Sequence, residues 1–128
     1  MNLLLDTHVF LWWQQSSGRL KQDVRHAIAN PAHTVFISAA SVWEIAIKRR
    51  LGKLIFQGSA IAAIGSNGFR ELPILPVDAE AEGELAWDHA DPFDRLLVAQ
   101  AARHGMTLVT ADRHIRSFGA VAQLWAET

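Results

Sequence analysis

Short apolar runs alternate along this chain with longer segments of helical period. Asn2–Leu5 reads as a short apolar run without polar alternation, as expected of a central strand covered on both faces, and the β-branched and aromatic Thr34–Ser38 reads as a second strand. Met106–Thr110 and Val121–Trp125 read as further strands, and Leu72–Val77 as a short edge strand, since Pro73 and Pro76 cannot donate to a ladder. The intervening segments read as helices. Thr7–Gln15 is closed by Ser16-Ser17-Gly18, and Lys21–Ala29 is ended by Asn30-Pro31. Ser41–Leu51 puts Val42, Ile45 and Ala46 on one side and stops at Gly52. Ser59–Ile64 follows among glycine breakers, then Asp78–Trp87 with Glu80, Glu82 and Glu84 toward solvent. Pro92–His104 turns Leu97, Val98 and Ala101 inward and ends on Gly105.

Strands alternating with helices predict parallel pairing with right-handed crossovers, hence a three-layer α/β/α domain around a central, mostly parallel sheet. A length of 128 residues fits a single domain over 1–128 with a substantial core, and 50% apolar with 20% charged residues leaves no room for long disorder. The net charge of −1 argues against gripping nucleic acid by bulk electrostatics, although Lys48, Arg49, Arg50 and Lys53 form a local basic cluster. With no cysteine there is no disulfide, no thiolate zinc site and no cysteine nucleophile, which fits a reducing cytoplasm. No segment approaches the about 18 consecutive apolar residues of a membrane span, and the N-terminus has no basic region or small-residue cleavage site of a secretory signal.

In open α/β sheets, sites form beyond the carboxyl ends of the strands, at a switch in strand order. Asp6 directly follows the first strand and Asp112 the fourth. Glu44 lies on the first turn of the helix after the second strand, and Asp94 opens the helix that must run back so that Met106–Thr110 is parallel. Topology thus brings four acids to one rim. Each also has a local explanation. Asp6 and Asp112 can be N-caps, Ser41-x-x-Glu44 has capping-box spacing, Glu44 can pair with Lys48 at i+4, and Asp91-Pro92 suits a cap followed by proline. Jointly, however, crowded carboxylates repel unless a divalent cation neutralises them. Oxygen donors without cysteine suit Mg²⁺ or Mn²⁺ rather than Zn²⁺. Such ions orient and ionise a water and stabilise charge on a phosphate in transfer, so a nearly neutral chain can still act on a polyanion.

Four segments, LLLDTHVFLWW, SAASVWEIAIKRRLGKL, HADPFDRLLVAQA and LVTADRHI, resemble in order the motifs of PIN-domain ribonucleases, in particular the VapC toxins of bacterial VapBC toxin–antitoxin pairs. The similarity runs from Asn2 to about Gly119. It implies the α/β/α fold, Mg²⁺ or Mn²⁺, cleavage of single-stranded RNA by an activated water, a cognate antitoxin and a homodimer or higher even oligomer. The family's acidic positions carry over to Asp6, Glu44, Asp94 and Asp112. Asp91, in the HADPFDR motif, becomes an additional ligand or a support for one. Thr7 and Ser38 are candidate donors to a metal ligand or its water, and Arg95 either contacts a phosphate or faces solvent.

Other residues carry less. His8 is read as a surface or packing residue, and His89 and His114 show no two-histidine metal spacing. Of the five tryptophans, Trp43 and Trp125 are expected in the core. The adjacent Trp12 and Trp13 span a wide arc, so that one of them is expected exposed beside Phe10 and Leu11 as a protein interface. Two other classes compete with a nuclease. A phosphorylatable receiver domain needs an acceptor Asp after a middle strand and a late Lys, and here Ser38-Ala39 and Thr110-Ala111-Asp112 occupy those places. A non-catalytic binding module would keep the fold without turnover, and a DNA-cutting relative would share the carboxylate chemistry.

Overall fold

β1 (Asn2–Leu5) sits at the centre because no side chain from Leu3 to Leu5 can face water without cost: all three are fully buried, Leu3 and Leu5 in one apolar cluster and Leu4 in the other. The computed structural model describes all residues from Met1 to Thr128. After β1 come α1 (Thr7–Gln14), α2 (Gln22–Ala29), β2 (Thr34–Ser38), α3 (Ala39–Arg50), α4 (Ala60–Ser66), β3 (Arg70–Leu72) and α5 (Pro76–Glu84). α6 (Pro92–His104), β4 (Thr107–Thr110), α7 (Arg113–Phe118) and β5 (Gln123–Trp125) complete the chain. The strands form one five-stranded sheet in the order β3-β2-β1-β4-β5, and every pairing is parallel. The chain winds outward from β1 through β2 to β3, then crosses to the other side of β1 for β4 and β5. The strand order therefore reverses between β1 and β4. Val9, Phe10, Val24, Ile45 and Ile64 cover one face of the sheet, and Leu96, Leu97, Val98, Ala101 and Ile115 the other. No helix is long and apolar enough to cross a membrane.

Several local expectations are corrected. The third strand is Arg70–Leu72 rather than Leu72–Val77: Pro73 ends it, and Pro76 starts α5, where its missing N–H costs nothing. α5 stops at Glu84, short of Trp87, and Glu82 is an ion-pair partner rather than a solvated acid. α3 begins at Ala39 with Ser38 as its cap, so Ser41 and Glu44 form no capping box; Ser41 is buried inside the helix. α7 had no counterpart in the periodicity, since a helix of six residues that buries only Ile115 leaves no repeat to read.

The tryptophans also fall differently. Trp43 is 54% exposed, because α3 turns Ser41 and Glu44 toward the sheet edge and leaves Trp43 on its outer arc, edge-on to Phe93. Phe10, Leu11 and Trp12 are buried, and Trp13 is half-buried with its indole N–H on Asn67 Oδ1 at 2.9 Å. The aromatic run of α1 is therefore core, not interface. Trp125 is half-buried beneath the Arg116 guanidinium.

An ion pair between a buried carboxylate and an exposed guanidinium fastens α5 to α6. Asp78 is fully buried; Arg103 Nε donates to its Oδ1 at 2.5 Å, and the Leu75 amide donates to its Oδ2 at 2.8 Å. Burial by itself would raise this carboxyl, but the Arg103 guanidinium and the Leu75 amide hold it below the usual carboxylate range. A carboxylate depressed in the folded state adds stability above its unfolded pKa and loses it as pH falls through the folded value. Asp78→Asn should thus lower unfolding free energy at pH 7 by about 2 kcal/mol, the worth of a charged hydrogen bond. In urea titrations the gap between variant and wild type should narrow as pH drops toward 3; a gap that stays constant would assign the loss to packing instead.

Candidate metal centre

The rim is assembled where β1 and β4 end side by side. Asp6 leaves β1 and caps α1, its Oδ1 accepting from the Val9 amide at 2.9 Å. Its Oδ2 accepts from the Thr110 hydroxyl at the end of β4 and from the Ala111 amide at 3.3 Å. Burial raises the Asp6 carboxyl, and these donors and the nearby His8 only partly offset the effect. Asp112, two residues beyond Thr110, caps α7 through Oδ1 and the Ile115 amide at 3.0 Å.

Glu44, buried on α3, is held at both oxygens. Thr7 Oγ1 donates to Oε1 at 2.6 Å and lies 2.9 Å from Ser41 Oγ, while Lys48 Nζ, one turn on, donates to Oε2 at 2.6 Å. Burial would lower the Lys48 amine, but Glu44 raises it, with Asp91 and Asp94 adding to the effect, so this ammonium is a counter-charge built into the rim.

Asp91 and Asp94 enter from the start of α6. Asp91 is its cap, with Oδ1 accepting from the Phe93 and Asp94 amides at 2.9 and 3.3 Å. Asp94 Oδ2 lies 2.8 Å from His89 Nε2. Burial first, then the charges of Asp91, Asp112 and Asp6 against the His89 hydrogen bond, push the Asp94 carboxyl up to about 7. One donor atom from each of His89, Asp94 and Asp112 lies within 4.8 Å of the others.

The sequence-derived candidates therefore divide. Asp94 and Asp112 converge with His89; Asp6 is near enough for its charge to act on Asp94; Glu44 is tied to the group through Lys48. Thr7 orients Glu44. Ser38 does not reach the acids: its hydroxyl donates to Gln100 Oε1 at 2.5 Å and accepts from the Ala40 amide. Arg95 neither faces solvent nor awaits a phosphate. Its side chain is 12% exposed, pairs with Glu82 at 2.6 Å, and donates to the carbonyls of Glu82, Leu85, Trp87 and His89. It thereby holds the 85–91 loop on α6. His89 and Lys48 were missed as parts of the site. Lys48 was legible as an i+4 partner of Glu44 and as part of a basic cluster, whereas His89 lacks the two-histidine metal spacing that would single it out.

Carboxylates that repel one another, an imidazole within reach and a single internal ammonium are a donor set that fits a divalent cation. The sequence profile of the PIN domain matches residues 3–121. The chain is 34% identical over 119 residues to ribonuclease VapC22 of Mycobacterium tuberculosis, covering 90% of each. Its fold is similar to that of VapBC2 from Rickettsia felis, solved with a DNA fragment from the promoter, at a TM-score of 0.72, 16% identity and coverage of 98% and 99%. It is also similar to VapC20 of Mycobacterium tuberculosis, described as a sarcin–ricin loop cleaving toxin, at a TM-score of 0.66, 18% identity and coverage of 91% and 95%.

A raised carboxyl makes the metal-free rim sensitive to alkali. The folded chain keeps a proton on Asp94 up to about pH 7, whereas an unfolded aspartate releases it near pH 4. The native state thus binds more protons between those values, and its stability falls as pH rises through that window. Melting temperature in EDTA should decline from pH 5 to 8. Asp94→Asn should flatten that decline and gain on the order of 1–3 kcal/mol at pH 8. Saturating Mn²⁺ should restore the wild type by binding only the folded rim. A pH-independent wild-type melt would show that the carboxylates are neutralised from within.

Proposed function

The chain belongs to the PIN-domain family, and from that premise we propose that it is a divalent-metal-dependent endoribonuclease of the VapC type, the toxin of a type II toxin–antitoxin module. The observation that carries this reading is the gathering of Asp94, Asp112, His89 and the charge of Asp6 at the strand-order switch, with too little internal positive charge to neutralise them.

Asp6, Glu44, Asp94 and Asp112 are the residues that would hold Mg²⁺ or Mn²⁺, with Asp91 fixing the backbone from which Asp94 projects. A dication there supplies an ionised water and neutralises the charge that builds on a phosphodiester in flight. The protein's own groups provide order. Thr110 and the Val9 amide set the Asp6 carboxylate, and Thr7 and Lys48 set Glu44, so the acids need little rearrangement on binding. Arg113, exposed next to Asp112, offers a cation for a flanking phosphate. Single-stranded RNA is the substrate favoured, because a flexible strand can bend one phosphate into an acid-lined rim.

The partners follow the same logic. The antitoxin would cover the rim and place a basic side chain among the carboxylates, as the resemblance to a protein solved within a VapBC complex suggests. Trp43 and Ile61, 54% and 58% exposed, support pairing into a homodimer or higher even oligomer. The cytoplasm, where RNA and antitoxin meet the toxin, is its place of action.

Cleavage of a labelled single-stranded RNA should require Mg²⁺ or Mn²⁺, stop in EDTA, and fall at least about 100-fold in Asp94→Asn with its circular dichroism unchanged. Equal cutting by wild type and variant would remove Asp94 from the site. Equal cutting of single-stranded DNA would favour the DNA-cleaving alternative, and RNA binding without turnover the binding module.

A further inference from the structure

The oxygens of the rim are used unevenly. Both oxygens of Asp6 accept protein hydrogen bonds, from Val9 and from Thr110 with Ala111, and both oxygens of Glu44 do so from Thr7 and Lys48. Asp94 and Asp112 differ. Asp112 uses only Oδ1, on the Ile115 amide, and Asp94 meets only His89 through Oδ2. The least engaged carboxylate oxygens of the rim therefore lie at the Asp94–Asp112 end, and there the third inward group is a nitrogen.

The imidazole of His89 is placed with unusual care for a loop residue. Its ring stacks on that of His114 at 4.5 Å with an interplanar angle of 14°, and the neighbouring Trp87 stacks on Phe118 at 4.7 Å and 15°. His114 and Phe118 are one turn apart on α7, so two parallel stacks press the loop onto this helix. From the other side Arg95 binds the carbonyls of Trp87 and His89. Ring plane and loop are both fixed, with Nε2 directed at the open carboxylates.

We propose that His89, Asp94 and Asp112 form a mixed nitrogen–oxygen site that selects a first-row transition dication, such as Mn²⁺ or Co²⁺, over Mg²⁺. The inference rests on reading the rim as a metal centre and goes beyond it by assigning the selectivity to His89. Mg²⁺ takes hard oxygen ligands and retains its waters, whereas imidazole suits the later transition ions, and affinity at a mixed site rises from Mn²⁺ to Co²⁺ along the first row. In the metal-free rim Nε2 lies 2.8 Å from Asp94 Oδ2; it would be the nitrogen donor to a bound cation, and Nδ1, which has no protein partner, would carry the ring proton. An all-carboxylate rim would lack this discrimination.

The test is a titration of the full-length chain with Mn²⁺ by electron paramagnetic resonance, with Mg²⁺ as competitor, for wild type and His89→Gln. Glutamine can keep a hydrogen bond to Asp94, so the loop should stay in place. His89→Gln should weaken Mn²⁺ binding about tenfold or more while changing Mg²⁺ binding less than about twofold. Co²⁺-loaded wild type should show a strongly shifted exchangeable imidazole proton by NMR, a signal that does not depend on any variant folding. An unchanged Mn²⁺-to-Mg²⁺ ratio, with no shifted imidazole proton, would overturn the assignment and leave a rim of oxygens alone. RNA cleavage measured alongside separates the two readings. Selective binding without cleavage of any RNA would sink the nuclease and keep this site, whereas Mg²⁺-supported cleavage with an unmoved ratio would do the reverse.

Discussion

The Thr110 hydroxyl donates to Asp6 across the junction of β4 and β1, joining residues 104 positions apart in the chain. This contact sits where the strand order reverses, the one place in a parallel sheet where two adjacent strand ends lead their chains away to opposite sides. The gap so formed needs polar side chains, because the last backbone groups of both strands and the first turns of α1 and α7 meet there. Asp6 serves three of those demands at once: it caps α1, accepts from Thr110 and accepts from the Ala111 amide. Capping α7 falls to Asp112. The same residues that finish the helices are those that confront one another as charges.

That confrontation explains the internal cation. Glu44 enters the rim from α3, a helix whose later turns are basic, and Lys48 lies one turn beyond it. A carboxylate buried among others is tolerable when a hydroxyl and an ammonium take its two oxygens. The acids at the α6 end have no such partner. Asp94 carries the consequence, a carboxyl raised to about 7 by burial and by Asp91, Asp112 and Asp6. The rim is thus graded, from a half satisfied by the fold to a half that looks outward for a cation.

The outward half depends on a loop that has no regular structure of its own. Arg95 spends its whole guanidinium on Glu82 and on carbonyls from Glu82 to His89, which replaces the hydrogen bonds that a helix would have provided. These bonds and the stacking of His89 on His114 hold the histidine in a segment without repetitive structure. The arginine next to Asp94 in sequence is therefore architectural, and its geometry, not its charge, serves the site.

The sequence by itself was enough to determine the parallel alternation, four of the five strands within a residue or two, and the placement of Asp6, Glu44, Asp94 and Asp112 near strand ends. These follow from short-range rules: apolar runs mark buried strands, acids and proline mark helix starts, and right-handed crossovers leave one edge for the site. The first-turn position of Asp94 and the cap at Asp91 were legible for the same reason. Only the tertiary structure decided that His89 faces Asp94, that Arg95 turns inward, that Ser38 goes to Gln100, and that Trp43 is outside while Trp12 is inside. In each of these cases the side chain had several partners of suitable chemistry within reach of its backbone. The choice among them was made by elements far away in sequence: α7 for His89, the 82–89 segment for Arg95, α6 for Ser38. Period and spacing fix where a residue stands on its own element, but the direction in which it acts is set by what packs against that element.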